Sequence, residues 1–236
     1  MINKIIKRLE KRAQKYSVVT NPSAYMNNKK SRKRSVPADK DKYTLVRSNI
    51  IPNVGSTSCS DLNGGNNCTL TATYNIMQFY RQQGFDKIPE NDEELYKLIM
   101  EQAKRLGYND QNGIGLFKID NLVRDTWHRG LGYTSGSARS RYIWRHKRLT
   151  DEIDKGRPFI FSLANGVYFN QTIVVCGYEV YKNERTGKEY TFLITADGWS
   201  TQRRYVAFTR TRAKYLSCVT YVEAPERDKL FEDDAE

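Results

Sequence analysis

From Phe159 onward the chain changes period, and that change limits what it can fold into. Phe159 to Leu163, Thr172 to Tyr181, Tyr190 to Thr195, Arg204 to Phe208 and Tyr215 to Val222 are runs rich in β-branched and aromatic residues, the composition of strands that bury at least one face. Asn183 to Gly187, between the second and third runs, reads as a hairpin turn.

Ahead of them the patterns are helical. Cys68 to Tyr80 carries apolar residues on more than one face and is followed by Gly84, which predicts a helix buried on most sides and stopped at that glycine. Asn91 with Glu94 three positions later forms a capping-box signature and opens a second helix, through Leu95, Leu98, Ile99 and Ala103 to Gly107. A third helix is expected over about Leu116 to His128, and a short fourth from Asp151 to Lys155 with Thr150 as cap and Gly156 as stop. Gly132 to Arg139 reads as loop. Helices first and strands afterwards predict an α+β fold rather than an alternating parallel one.

The charge is not spread evenly. Of the formal net +12, the first 50 residues hold 14 Lys/Arg against 3 Asp/Glu, while the remainder holds 25 against 24. Ile2, Ile5, Ile6, Leu9 and Ala13 recur at helical spacing among Lys and Arg, so residues 2–16 are expected to form a basic amphipathic helix and 17–42 a polar linker. Together, residues 1–42 make an arm suited to an acidic surface. Residues 43–225 form the predicted domain, opening with an extended run from Tyr43 to Ile51, and 226–236 are an acidic tail. The near-neutral body argues against nucleic acid as its partner.

No run approaches the roughly 18 apolar residues of a membrane span, so no integral span is expected. The basic start lacks the continuous apolar core of a signal peptide. Four cysteines (Cys59, Cys68, Cys176 and Cys218) are too few for a disulfide framework in 236 residues. Cys59 and Cys68 flank a Gly/Asn turn, and Cys176 and Cys218 sit in strand-like runs, so either pair is open to bridging. His128 and His146 have no metal-binding spacing to any Cys pair. No metal site and no cofactor is expected.

Cys68 stands at the first turn of its helix, delivered there by Gly64-Gly65-Asn66-Asn67. Unpaired amides and the helix dipole favour the thiolate, the nucleophilic form. A cysteine on an apolar helix is also commonly a small buried hydrophobe, so position alone does not make it a nucleophile.

The order of further motifs adds to this. Asn67-Cys68-Thr-Leu-Thr-Ala-Thr73 is followed by Asp154-Lys-Gly-Arg-Pro-Phe-Ile-Phe-Ser-Leu163, then Thr172-Ile-Val-Val-Cys-Gly177-Tyr178, then Ala196-Asp-Gly-Trp-Ser200 and Arg204-Tyr-Val206. This series resembles the papain-like cysteine peptidases of bacteria, the group of streptopain, the staphopains and the bacteriocin-processing peptidases. It covers about residues 43–222. The resemblance implies a helical lobe whose central Cys-bearing helix packs on an antiparallel β-sheet lobe, a cleft that takes a peptide or protein, and a secreted or cell-surface location.

It also implies roles. Cys68 matches the nucleophile. The base of the family is a histidine six positions before the Gly of Gly-Tyr, and here that position is Gln171. Asp197 matches the residue that orients the histidine, although a carboxylate in an Asp-Gly-Trp turn ordinarily serves to hold the turn. The family's oxyanion-holding glutamine falls at Leu62, with Asn63 the nearest amide. Glutamine has no titratable site near neutral pH, so it neither takes a proton from a thiol nor returns one to a leaving amine. The resemblance therefore implies a peptidase homologue with impaired or lost hydrolysis. Two alternatives stand beside it: an active thiol peptidase with an unconventional base or with Gln171 introduced into an active parent, and a non-enzymatic adhesion or interaction module of the same fold.

Overall fold

The computed structural model of the chain describes residues 18–19, 43–163, 170–207 and 217–226. The expected basic helix over 2–16, nearly all of the linker and the tail beyond Glu226 lie outside those residues. Within them the chain is α+β, with helices packed on an antiparallel sheet.

The eight strands are β1 (Val18–Val19), β2 (Tyr43–Ile50), β3 (Ser137–Arg141), β4 (Phe159–Leu163), β5 (Gln171–Asn183), β6 (Glu189–Ala196), β7 (Arg204–Ala207) and β8 (Ser217–Glu223). Their order in the sheet is β1-β7-β6-β5-β4-β8-β3, with β2 also paired to β5, and every pairing is antiparallel. The 13-residue β5 is the hub. Its first part, Gln171 to Val175, pairs with β4. Past an irregularity at Cys176, Gly177 to Asn183 pairs with β2. The handover needs a glycine, because a Cβ on Gly177 would stand 2.6 Å from the Asn49 carbonyl oxygen. At the far end, Asn183 Oδ1 accepts from the amides of Arg185 and Thr186, closing the expected hairpin into β6.

Helix α1 (Cys68–Gln82) is the most buried of the helices with eight or more residues. Leu70, Ile76 and Met77 enter the core fully. Its buried polar residues are accommodated by bonds of three kinds. Thr71 Oγ1 and Thr73 Oγ1 donate back to the carbonyls of Asn67 and Thr69. Asn75 grips the backbone of Thr57 from both sides, accepting from its amide at 2.9 Å and donating to its carbonyl at 3.2 Å. This second device ties the loop before the helix to the middle of the helix. A hydroxyl chain, Thr69 to Thr172 at 3.0 Å and Thr172 to Ser162 at 3.1 Å, seats α1 against β5 and β4.

Helix α2 (Asp92–Arg105) starts where expected, the Asn91 side chain accepting from the amides of Glu93 and Glu94. The third expected helix is broken into three short pieces. A 3₁₀ turn (Leu116–Lys118) leads into α3 (Ile119–Asp125), and a wider turn (Thr126–Gly130) follows, in which the Leu131 amide reaches back to the Thr126 carbonyl. The wide turn places Trp127 edge-on to Tyr80 and Tyr133.

Three expectations are corrected. Helix α4 runs from His146 to Asp154, starting five residues before the expected Asp151. Thr150 therefore lies inside the helix, donating to the Lys147 carbonyl rather than capping. Leu149 and Ile153, four apart and both buried, supply the face that extends the helix upstream. The stretch read as a loop from Gly132 to Arg139 contains the start of β3, whose Ser/Arg sequence has no apolar alternation and which is held by pairing with β8. Val18–Val19, assigned to the linker, forms β1 against β7.

Candidate active site

A cleft of about 510 Å³ opens where the start of α1 meets the ends of β4 and β5. Cys68 lines it, half-buried, with its sulfur 3.9 Å from the Asn170 carbonyl. Asn67, just ahead, is buried and points its amide away from the thiol, donating to the carbonyls of Cys59 and Leu62. That contact folds the loop back over the helix start and exposes Cys68 to the cleft.

Gln171 lines the same cleft as the first residue of β5. It is buried, and its Nε2 donates to the main-chain carbonyl of Asp197 at 2.7 Å. Asp197 lies in the turn after β6 and is fully buried. Its carboxylate is turned elsewhere: Oδ1 accepts from the Trp199 amide at 3.0 Å. Oδ2 stands 3.3 Å from Arg204 Nε, an ionic contact without hydrogen-bond alignment. So position 171 is oriented by a peptide carbonyl, and the carboxylate serves the turn and the arginine.

Of the four residues picked out from the sequence, the fold brings Cys68 and Gln171 to one cleft and sets the Asp197 carbonyl behind Gln171. Asn63 is not among the residues lining the cleft. It is exposed on the preceding loop, where its carbonyl takes the Tyr96 hydroxyl at 2.6 Å.

Sequence reasoning missed the functional placement of Cys59. It shares the cleft with Cys68, and its amide donates to the Gly198 carbonyl at 2.7 Å. Gly198 leaves room for this sulfur, since a Cβ there would be 2.7 Å from Cys59 Sγ and 3.5 Å from Gln171 Nε2. Burial pushes the Cys59 thiol up, and side-chain hydrogen bonds from Thr71 and Gln171 offset part of that effect. The only sequence signal was that Cys59 and Cys68 flank one turn.

No described side chain lining the cleft is charged or an imidazole. His128 is occupied elsewhere, its Nδ1 and Nε2 lying 3.0 and 2.9 Å from the carbonyls of Tyr133 and Gly136. Instead the lining includes Asn66, Asn67, Gln111, Asn112, Asn170 and Gln171, with Trp199 at one wall, and the amide nitrogens of Asn66, Asn67 and Gln171 already donate to main-chain carbonyls. Amides donate and accept together, the pattern that a peptide main chain presents in return. Among the described residues no cluster of His, Cys, Asp and Glu is arranged to hold a metal ion, and no helix is long and apolar enough to cross a membrane. Compared with models of protein families and with curated proteins, the chain finds no match.

Proposed function

We propose that this chain is a papain-like cysteine peptidase homologue of bacterial type whose peptide-bond hydrolysis is impaired or lost and whose cleft binds peptide. The observation that carries the reading is Gln171, at the cleft that holds Cys68, on the strand that would bring the base. General acid/base help is worth roughly 100- to 10,000-fold, and a glutamine there supplies none. The uncharged, amide-rich lining supports a peptide ligand over a nucleic acid, which calls for cationic groups along its path.

Restoring the base tests the reading. An imidazole at position 171 has one N–H for the Asp197 carbonyl and a second nitrogen that can take a thiol proton. The expected outcome is that the chain as it stands leaves casein intact, while Gln171→His cleaves it and alkylates faster with iodoacetamide at Cys68 near neutral pH. Cleavage of casein by the unsubstituted chain, abolished by Cys68→Ala, would show that hydrolysis is not lost. A folded Gln171→His variant with no gain in either assay would remove the peptidase ancestry from the cleft.

A further inference from the structure

The proposed function leaves the second thiol of the cleft unused. Cys59 and Cys68 both reach the cleft, half-buried, whereas Cys176 and Cys218 are fully buried in the sheet. Cys176 donates to the Ile194 carbonyl, and burial raises its thiol to about 11, which keeps it unreactive.

Three contacts bring Cys59 to the start of α1. The Asn67 side chain, one residue before Cys68, donates to the Cys59 carbonyl at 3.1 Å. Thr71, three residues after Cys68 and so on the same helix face, lies beside the Cys59 sulfur, its Cγ2 and that sulfur both within 4 Å of the point a Cβ on Gly198 would occupy. Gly198, Gln171 and the Cys59 sulfur crowd one point at the cleft wall. Between the two cysteines lie eight residues, including Gly64 and Asn66 at φ of 108° and 47° and largely exposed. Disulfide geometry, with Cα atoms about 4.4–6.8 Å apart, is reached by movement of this turn against the bonds that hold it, from Tyr96 to the Asn63 carbonyl and from the Asn66 side chain to the Asp110 and Gln111 carbonyls.

We propose that Cys59 and Cys68 are a redox couple that a peroxide converts to an intramolecular disulfide. The Cys68 thiolate attacks hydrogen peroxide, the O–O bond breaks, and hydroxide leaves Cys68 as a sulfenic acid. The Cys59 sulfur then attacks the Cys68 sulfur, the S–O bond breaks, and the hydroxyl leaves with the thiol proton as water. Two thiols are oxidised by two electrons, and one peroxide is reduced to two waters. The reaction needs no base from the cleft beyond solvent, and it holds whether or not the cleft binds peptide.

The test uses the reduced full chain, treated with hydrogen peroxide, alkylated with iodoacetamide and cut before Asp61, so that Cys59 and Cys68 fall in different fragments. The expected result is that these fragments are joined, two hydrogens lighter than their sum, and separated by dithiothreitol. Cys68 loses its alkylation while Cys176 and Cys218 are unchanged. In Cys59→Ser no joined fragment forms, and Cys68 is trapped by dimedone or runs on to sulfinic acid. The idea is overturned if Cys68 reaches sulfinic acid with Cys59 still reduced, if the joined fragments come from two chains, or if Cys68 is not oxidised. Joining at the same rate in urea overturns it too, because the fold would then contribute nothing.

Discussion

At the scale of single residues, Asp197 shows how a turn position and a side chain's task separate. The carboxylate is fully buried and its charge is met by Arg204. Removing the arginine alone takes away a cation that meets that buried charge, and breaking a buried pair costs up to about 3–5 kcal/mol. Arg204→Met should therefore lower the urea midpoint sharply, while the double change Asp197→Asn with Arg204→Met should recover most of the loss. A single variant as stable as the parent would mean the pair carries no such energy. The Asp-Gly-Trp turn itself was legible in the sequence, since its φ of 73° at Gly198 suits glycine. The partner of the carboxylate was not, because Arg204 arrives from the next strand and no local spacing reports that pairing. Gln171 was legible by its place before Gly177, but not its bond to a main-chain carbonyl. Cys59 sits nine positions ahead of Cys68, and only the folded loop reveals that both face one cleft.

At the scale of elements, one carboxylate adds a polar tie between α4 and the sheet to the packing of Leu149 and Ile153. Asp154 Oδ1 accepts from Asn49 Nδ2 on β2 at 3.0 Å and from the Tyr178 hydroxyl on β5 at 2.8 Å. The Asn49 bond, followed by Tyr178 and the nearby Arg47, holds the Asp154 carboxyl below the usual carboxylate range. A group depressed in the folded state stabilises above its unfolded pKa, about 3.9 for Asp, and that stabilisation is lost as pH falls through the folded value. Asn49→Ala should thus be less stable than the parent at neutral pH, by less than about 1 kcal/mol because the carboxyl is exposed. Urea midpoints should converge as the solution is acidified past the carboxylate range. A gap that stayed constant with pH would place the effect elsewhere. The helix itself was only half legible. Its Lys147–Asp151 pair and its Leu149–Ile153 face are ordinary helical spacings, yet the polar Arg145-His146-Lys147 start carried no capping residue to mark it.

At the scale of the whole molecule, the longer helices and the strong strands followed from periodicity, but β1, β3 and the order of the strands did not. Strong strands such as β4 and β6 declare themselves by β-branched and aromatic content. β3 does not, because Ser and Arg become a strand only when β8 offers them a ladder. β8, the last strand among the described residues, inserts between β4 and β3 and pairs with both. Ending the chain before Ser217 should leave β3 with no described partner and open one edge of β4. The expected outcome is loss of the cooperative urea transition, whereas removal of the residues after Glu226 should leave it intact. A sharp transition in the shorter chain would show that β8 is dispensable. The same placement bears on synthesis. A ribosome releases this chain from its N-terminus, so Cys59 and α1 with its Cys68 emerge long before β8, which pairs with both β4 and β3. Until β8 appears, the nascent protein carries an open β4 edge and two reachable cysteines, and its dependence on chaperones should be greatest in that interval.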